Sequence, residues 1–347
     1  MSAPEESHAH QDAEILKLFD AGNEDALRAY LQLLHPSDIP HLFDVLDQAR
    51  WLAVTSKLSP ESLGEVFTYL DEERRNRLAK MMQPERLIRV VNELETDDAA
   101  DVIADFPETR YDEVLGGLDD KDDITTLLRY DEDSAGGIMQ TELCRVDEDR
   151  TVGDAIEAVR ETREEIDDVL EVFTVDREGK LRGLVALEDL VLSPNHRALT
   201  QIASPFEVSV TPEMDQEKVA QIFKKYDLVT VPVVDDNGVL LGRITFDDIQ
   251  DVIEEEASED IMVMAGVSSE EELVYSARYL RIALFRMPWL ISSLLGTLVT
   301  AYLMSFFAQV PGDALVLASF VPVVMAMTGN FGSQSAMIVT RGLATGR

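Results

Sequence analysis

Two apolar runs free of charged residues, Met287 to Val310 and Ala314 to Thr340, fill most of the sequence after residue 286, separated only by Pro311, Gly312 and Asp313. Each exceeds the roughly 20 residues that a helix needs to cross a bilayer. The pattern predicts a transmembrane α-helical hairpin with spans at 283–310 and 314–340. Arg278, Arg281 and Arg286 precede the first run, Arg341 and Arg347 follow the second, and the lone acid Asp313 sits in the turn. Basic flanks stay on the cytoplasmic side, so both ends of the hairpin are expected in the cytoplasm of a multi-pass protein of the inner (plasma) membrane. The segment from Met1 to Asp12 is polar and acidic and lacks the apolar core of a signal peptide. The first 280 residues are therefore expected to form an intracellular body.

The second run holds Gly329, Asn330, Phe331, Gly332, Ser333, Gln334 and Ser335. Polar groups at that depth are costly unless they face protein or water, so Gly329, Asn330 and Gln334 are read as lining an aqueous path. Ser292, Ser293, Gly296 and Thr297 of the first run are read as close helix packing.

The chain has 67 acidic and 30 basic residues, a formal charge of −37, and residues 281–347 contribute four Arg and one Asp. The acidity therefore lies in the region before the hairpin. Such a body repels nucleic acid and anionic lipid and attracts cations. Two causes stand open: a solvated acidic surface, as in salt-adapted proteins, or carboxylates clustered for divalent ions. Cys144 is the only cysteine, which excludes an intrachain disulfide and a thiolate zinc cage within one chain, and it reads as a buried apolar residue. His8, His10, His35, His41 and His196 show no metal-ligand spacing.

After an acidic lead-in at 1–30, residues 31–134 repeat with a period of twelve: Leu34, Leu46, Leu58, Leu70, Met82, Leu94, Phe106 and Leu118 open similar blocks. Ser59, Thr96 and Asp119 are N-cap types, and Pro36, Pro60, Pro84 and Pro107 suit first turns. Short helices stacked as an all-α solenoid follow.

A second repeat spans 138–199 and 200–256. Val175-Asp-Arg-Glu-Gly-Lys-Leu-Arg-Gly-Leu matches Val234-Asp-Asp-Asn-Gly-Val-Leu-Leu-Gly-Arg position for position. In each copy a β-rich run leads through an Asp/Asn-Gly turn to a short strand and an acid-started helix. This resembles a tandem α/β pair of CBS domains, modules that sense a ligand. Some such pairs bind adenine nucleotides through Gly-x-x-Thr-x-x-Asp. Gly242, Thr245 and Asp248 keep that pattern, whereas the first copy has Ala186 before Asp189. The resemblance thus implies a weak nucleotide set, Asp189, Thr245 and Asp248, with ATP as ligand.

An acidic connecting helix at 247–275 puts Asp248, Asp251, Glu255 and Glu259 at three- and four-residue steps, where like charges repel. In this order the solenoid, the CBS pair, the connecting helix and a second span reading Gly329-Asn-Phe-Gly-Ser-Gln-Ser resemble the MgtE family of magnesium channels. That resemblance implies a homodimer in a lipid bilayer, gated by intracellular Mg2+ that bridges carboxylates among solenoid, CBS pair and a "plug" helix and holds the pore shut. The implied metal residues are Glu65, Asp97 and Asp101 in the solenoid, and Asp215, Glu217, Asp227, Asp248 and Asp251 in and after the second CBS copy. Glu256, Glu259 and Asp260 belong to the plug. The resemblance implies five membrane helices per subunit where two are read here, so either the chain is a fragment, with residues 341–347 a cytoplasmic end ahead of further spans, or it is a shortened homologue. The alternative function is a membrane-anchored CBS sensor of adenine nucleotide or ions that does not itself conduct. No Walker loop, nucleophile elbow or His-containing metal motif speaks for an enzyme.

Overall fold

The computed structural model describes residues 13–163, 169–206 and 208–264, the last seven by backbone alone, and isolated helical positions between 287 and 332. The chain divides into two units, Met1–Ile249 and Gln250–Arg347.

The first unit opens with helices α1 (13–20), α2 (Glu24–Leu31), the short α3 (Leu42–Val45), α4 (Gln48–Lys57), α5 (Pro60–Thr68), α6 (Glu72–Met81), α7 (Pro84–Val91), α8 (Thr96–Ala104), α9 (Glu108–Leu115) and α10 (Lys121–Leu127). From α4 to α9 every helix starts twelve residues after the last, at 48, 60, 72, 84, 96 and 108. The apolar period is therefore one helix with its cap. Asp47, Ser59 and Asp71 accept the backbone N–H of Arg50, Ser62 and Arg74 at their helix starts. Thr96 differs from its expected role: it is the first residue of α8, and Glu95 holds the cap position without a side-chain cap bond. Asp119 likewise precedes the cap, which is Asp120, and Pro107 takes the cap of α9.

Alternate helices pack together, α2 on α4, α4 on α6, α5 on α7, α7 on α9 and α8 on α10. Val54, Leu63, Val66, Phe67, Leu78, Leu87, Val90 and Ile103 are wholly buried between them. Truncating any one of the buried leucines would cost about 2–5 kcal/mol. Arginines tie the layers: Arg75 donates to Asp105 at 3.0 Å and Arg50 to Asp20 at 3.4 Å, and Arg74 meets Asp44.

The tandem unit contains β1 (Arg145–Asp147), α11 (Val152–Thr162), β2 (Glu171–Val175), β3 (Leu181–Ala186), α12 (Leu187–Leu192), α13 (Gln216–Tyr226), β4 (Thr230–Val234) and β5 (Leu240–Thr245). Strand β1 is parallel to β2, and β2–β3 and β4–β5 are antiparallel. The duplication extends to detail. Both hairpins have a register shift one residue before the turn, at Thr174/Val175 and Val233/Val234. Asp176 and Asp235 fold the turns by accepting backbone N–H groups two and four residues on. Gly179 and Gly238 supply the positive φ of 80° and 82°. The turns dock on one another reciprocally, Leu181 N–H to the Gly238 carbonyl and Leu240 N–H to that of Gly179, both at 3.0 Å. Phe173, Val175, Leu181 and Leu240 form the core at this contact, and Cys144 is buried in the core of the first copy, as its residue type suggested.

Helix α14 (Phe246–Met264) begins in the first unit and continues into the second. The spans at 283–310 and 314–340 lie outside the described residues except at isolated positions, of which Gly329 is helical; Asn330 and Gln334 lie outside them. Among the described residues no helix is long and apolar enough to cross a membrane.

Candidate metal site at the junction of solenoid and tandem unit

Within the first unit, the start of α8 meets the tandem unit along the segment before β1 and along β5. Gln140 pairs its backbone with Arg243 in both directions, at 2.8 and 2.9 Å, an isolated antiparallel bridge between the lead-in of the first copy and β5. Side chains continue the contact. Arg243 Nε donates to Gln140 Oε1 at 3.1 Å, and Gln140 Nε2 donates to Glu95 Oε2 at 2.6 Å. Glu142 accepts the N–H of Thr96 at 2.9 Å and its hydroxyl at 2.7 Å. Thr96, Gln140 and Arg243 are buried, at 2 %, 2 % and 4 % exposure.

Carboxylates gather at this seam. Asp97 is 7 % exposed, and its carboxyl is held well above the usual range by burial first, then by Asp248 and Asp98. Asp248, half-buried at the start of α14, is pushed up to about 7 by desolvation, with Asp247 and Asp98 adding to the rise. Glu95 rises to about 7 by burial, with Glu142, Asp248 and Asp98 opposing the pull of Arg243. Asp101 lies one turn further along α8 at the exposed rim, and its carboxyl is shifted upward by crowding and by Glu132 and Asp98. Water reaches it there and screens the effect.

The donors are all oxygen, a set that suits a hard divalent cation and not zinc or copper. Among the described residues no three Asp, Glu, His or Cys side chains converge closely enough to enclose an ion. Mg2+ keeps several waters and is ordinarily held by one or two carboxylates. Beside the seam an acidic cleft of about 800 Å³ carries Glu93, Asp120 and Asp123 from the solenoid and Arg145 and Arg163 from the tandem unit.

Of the residues read as metal ligands, the structure brings Asp97 and Asp248 together, with Asp101 close by. Within the same unit, Glu65, Asp215, Glu217 and Asp227 stand in other settings. Glu65 is exposed on α5 and enters none of the electrostatic contacts of the cluster among the described residues. Asp215 caps α13 by accepting from Lys218 N–H at 3.4 Å, and Glu217 accepts from Gln221 at 3.2 Å. Asp227 ends α13 in the left-handed region, φ 55° and ψ 47°, a local backbone role. Asp251 and Glu256 lie on α14 in the second unit, as do Glu259 and Asp260, whose side chains fall outside the described residues.

The nucleotide pattern has a local explanation as well. Thr245 donates both its N–H, at 3.1 Å, and its hydroxyl, at 2.6 Å, to Asp248 Oδ2, which fastens the start of α14. Asp189 is exposed on the six-residue α12, where Ala186 supplies no cap bond.

Sequence reading missed Glu95, Asp98, Glu142, Gln140 and Arg243. Arg243 carried a signal: position-for-position alignment sets it opposite Leu184, a charge inside an apolar strand. Glu142 carried none, because its partner lies 46 residues away in another domain.

A short-helix solenoid joined through a carboxylate seam to a duplicated α/β pair defines the class of protein. Residues 34–133 match the MgtE intracellular N domain, and 135–194 and 199–255 match the CBS domain. The chain is 37 % identical over 224 residues to the magnesium transporter MgtE of Thermus thermophilus, covering 64 % of this chain and 50 % of the relative. It is 36 % identical over 222 residues to that of Enterococcus faecalis, covering 64 % and 48 %. The crystal structure of the cytosolic domain of the Mg2+ channel MgtE in complex with ATP aligns with a TM-score of 0.67 at 30 % identity, over 70 % of this chain and 99 % of the other. The soluble part of a magnesium transporter aligns with a TM-score of 0.64 at 29 % identity, over 72 % and 99 %. The chain belongs to the MgtE family. It spans about half the length of the curated relatives it matches.

Proposed function

We propose that this chain is a subunit of a Mg2+ channel or transporter whose intracellular body senses Mg2+ and favours the closed state when Mg2+ is abundant. The observation that carries the reading is Asp97, buried at a seam between two domains and flanked by Asp98 and Asp248. Without a cation these groups repel and take up protons. A hydrated Mg2+ between Asp97 and Asp248 relieves the repulsion and draws solenoid and tandem unit together, a shift between two populated states. Asp101 and Glu95 extend the negative field. The hairpin at 283–310 and 314–340 is the membrane part, with Gly329, Asn330 and Gln334 on the ion path. A homodimer in the inner membrane completes the assembly, and the exposed Val191 and Leu192 of α12 are apolar surface for a second copy to cover.

The test is limited trypsin proteolysis of the full chain in detergent, titrated with MgCl2 against NaCl of matched ionic strength. Protection by MgCl2 alone, lost in Asp97→Asn and Asp248→Asn, supports the sensor. Equal protection by NaCl means a screened acidic surface and removes it. A second reading, an adenine-nucleotide sensor, draws on the ATP complex of the 30 % identical relative. Calorimetry with ATP and Mg2+ added separately discriminates the two.

A further inference from the structure

The ATP complex of the relative and the Gly-x-x-Thr-x-x-Asp pattern imply an adenine nucleotide on the tandem unit. In the second copy each pattern residue already has a partner inside the protein. A Cβ on Gly242 would stand 2.5 Å from the Gln140 carbonyl, so this glycine admits the lead-in of the first copy across β5. Thr245 is bonded to Asp248, and Asp248 stands with Asp247, Asp97 and Asp98. The first copy repeats the crossing without the hydroxyl. Gly183 is covered by the Ser204 carbonyl, and Leu184 bridges Ser204 as Arg243 bridges Gln140. Ala186 stands in the place of Thr245, and across from it on β2 is Glu171, at the position of Thr230. Glu171 Oε2 is buried and has no hydrogen-bond partner among the described residues. Phosphates laid on this copy would meet Glu171, Glu188 and Asp189, and like charges at short range repel. The residues present do not fit an adenine nucleotide.

The cation of this region belongs to the chain. Leu184, the equivalent of Arg243, packs against the core where the two copies meet. Arg243, 4 % exposed, likewise finds its partners in the first copy. Its Nε donates to Gln140 Oε1 at 3.1 Å. Burial raises the Glu171 carboxyl, and Arg243 pulls it back.

We propose that the tandem unit carries its own cationic ligand: the Arg243 guanidinium of the second copy, bonded to Gln140 and facing Glu171 of the first, joins the copies, and neither copy takes an adenine nucleotide. A side chain already tied to the protein gives up less freedom on docking than a free ligand does. The setting of one copy against the other is then independent of the nucleotide level. This inference stands apart from the cation-sensing reading and runs against the nucleotide one.

Chemical rescue of the full chain in detergent tests the seat. Arg243→Ala should lower the unfolding midpoint. Guanidinium chloride in the low millimolar range, far below denaturing levels, should return roughly half of that loss and leave the unaltered protein unmoved. Sodium chloride of matched ionic strength controls for screening. Rescue no greater than that by sodium chloride overturns the proposal. Should Arg243→Ala not fold, Arg243→Gln, Glu171→Gln and their combination decide in its place. The combined loss of midpoint should be smaller than the sum of the single losses, and strict additivity overturns the pairing. Calorimetry with ATP, ADP and AMP in EDTA should give no saturable heat with the unaltered chain. Saturable binding of any of the three overturns the proposal as well. The MgCl2 protection experiment, run without nucleotide, judges the sensing reading separately.

Discussion

The two halves of the tandem unit share an antiparallel hairpin with the same register shift and the same aspartate-glycine turn, yet the arginine of the closing strand is exposed in the first, Arg182 of β3, and buried in the second, Arg243 of β5. Position 184 is Leu and position 243, its equivalent, is Arg; Ala186 stands where the second copy has Thr245. The first copy's closing helix is the six-residue α12, and the second's is the 19-residue α14. Backbone repetition fixes the scaffold, and a few substituted positions decide which copy joins the solenoid. Arg243 reaches Glu95 through Gln140, and Thr245 sets Asp248 beside Asp97 and Asp98. The metal chemistry proposed here is thus a property of one copy's substitutions and not of the fold they share.

Making the copies alike should have the largest effect. Arg243→Leu gives the second copy the residue of the first and leaves Glu95 and Glu171, whose carboxyls Arg243 now pulls downward, without their buried cation. Loss of the buried Arg243–Gln140 bond, which leaves the Gln140 oxygen without its donor, costs about 1–3 kcal/mol. Amide exchange along β4 and β5 of the full chain should accelerate accordingly, and an unchanged profile would show Arg243 to be a spectator.

A change of pH should come next, because several carboxyls act together. In the folded chain Glu95 and Asp248 are raised to about 7, above the roughly 4 of an unfolded chain. Between those values the folded state holds more protons, so stability falls as pH rises from about 4 to about 7, with no further loss above. Magnesium ions require ionised carboxylates and oppose the trend. Thermal unfolding of the full chain at pH 5 and pH 8, compared with Asp248→Asn, should show a steeper loss in the unaltered protein in EDTA and a smaller difference in MgCl2. Equal slopes in the two proteins would remove the cluster from the account.

What the sequence made legible follows from local repetition. The twelve-residue register of α4 to α9 was written in Leu58, Leu70, Met82 and Leu94, and the tandem duplication in the aligned Val175 and Val234 segments. Asp97 and Asp248 were also legible as ligand types. The bonds beside them were not, because Gln140 and Arg243 lie 103 residues apart and meet only where the lead-in of the first copy crosses to the second. Asp215 and Asp227 show a different limit: aspartate serves equally as a ligand, a helix cap and a tolerated left-handed residue, and sequence alone does not separate these uses.

Thr245→Ala sharpens the comparison by a smaller step, since it imports the Ala186 of the first copy. Loss of the hydroxyl bond to Asp248 should cost about 1 kcal/mol at the start of α14 and weaken Mg2+ binding through misplacement of Asp248. Calorimetry on the full chain measures the second effect. Unchanged Mg2+ affinity would mean that Asp248 needs no fastening, and the contrast between Ala186 and Thr245 would have no bearing on sensing.

The smallest effect is expected at Asp227, the single non-glycine residue with positive φ among the described residues. Glycine adopts φ 55° and ψ 47° without steric conflict, and alanine does so at a cost on the order of 1 kcal/mol. Asp227→Gly should therefore leave stability level or raise it by less than about 1 kcal/mol, and Asp227→Ala should lower it by a similar amount. Both remove the carboxylate. If the residue serves only the backbone, the two variants separate in unfolding midpoint and share the Mg2+ affinity of the unaltered protein. If both lose affinity equally, the carboxylate is a ligand after all, and the sensing surface extends along α13 beyond the single seam at Asp97 and Asp248.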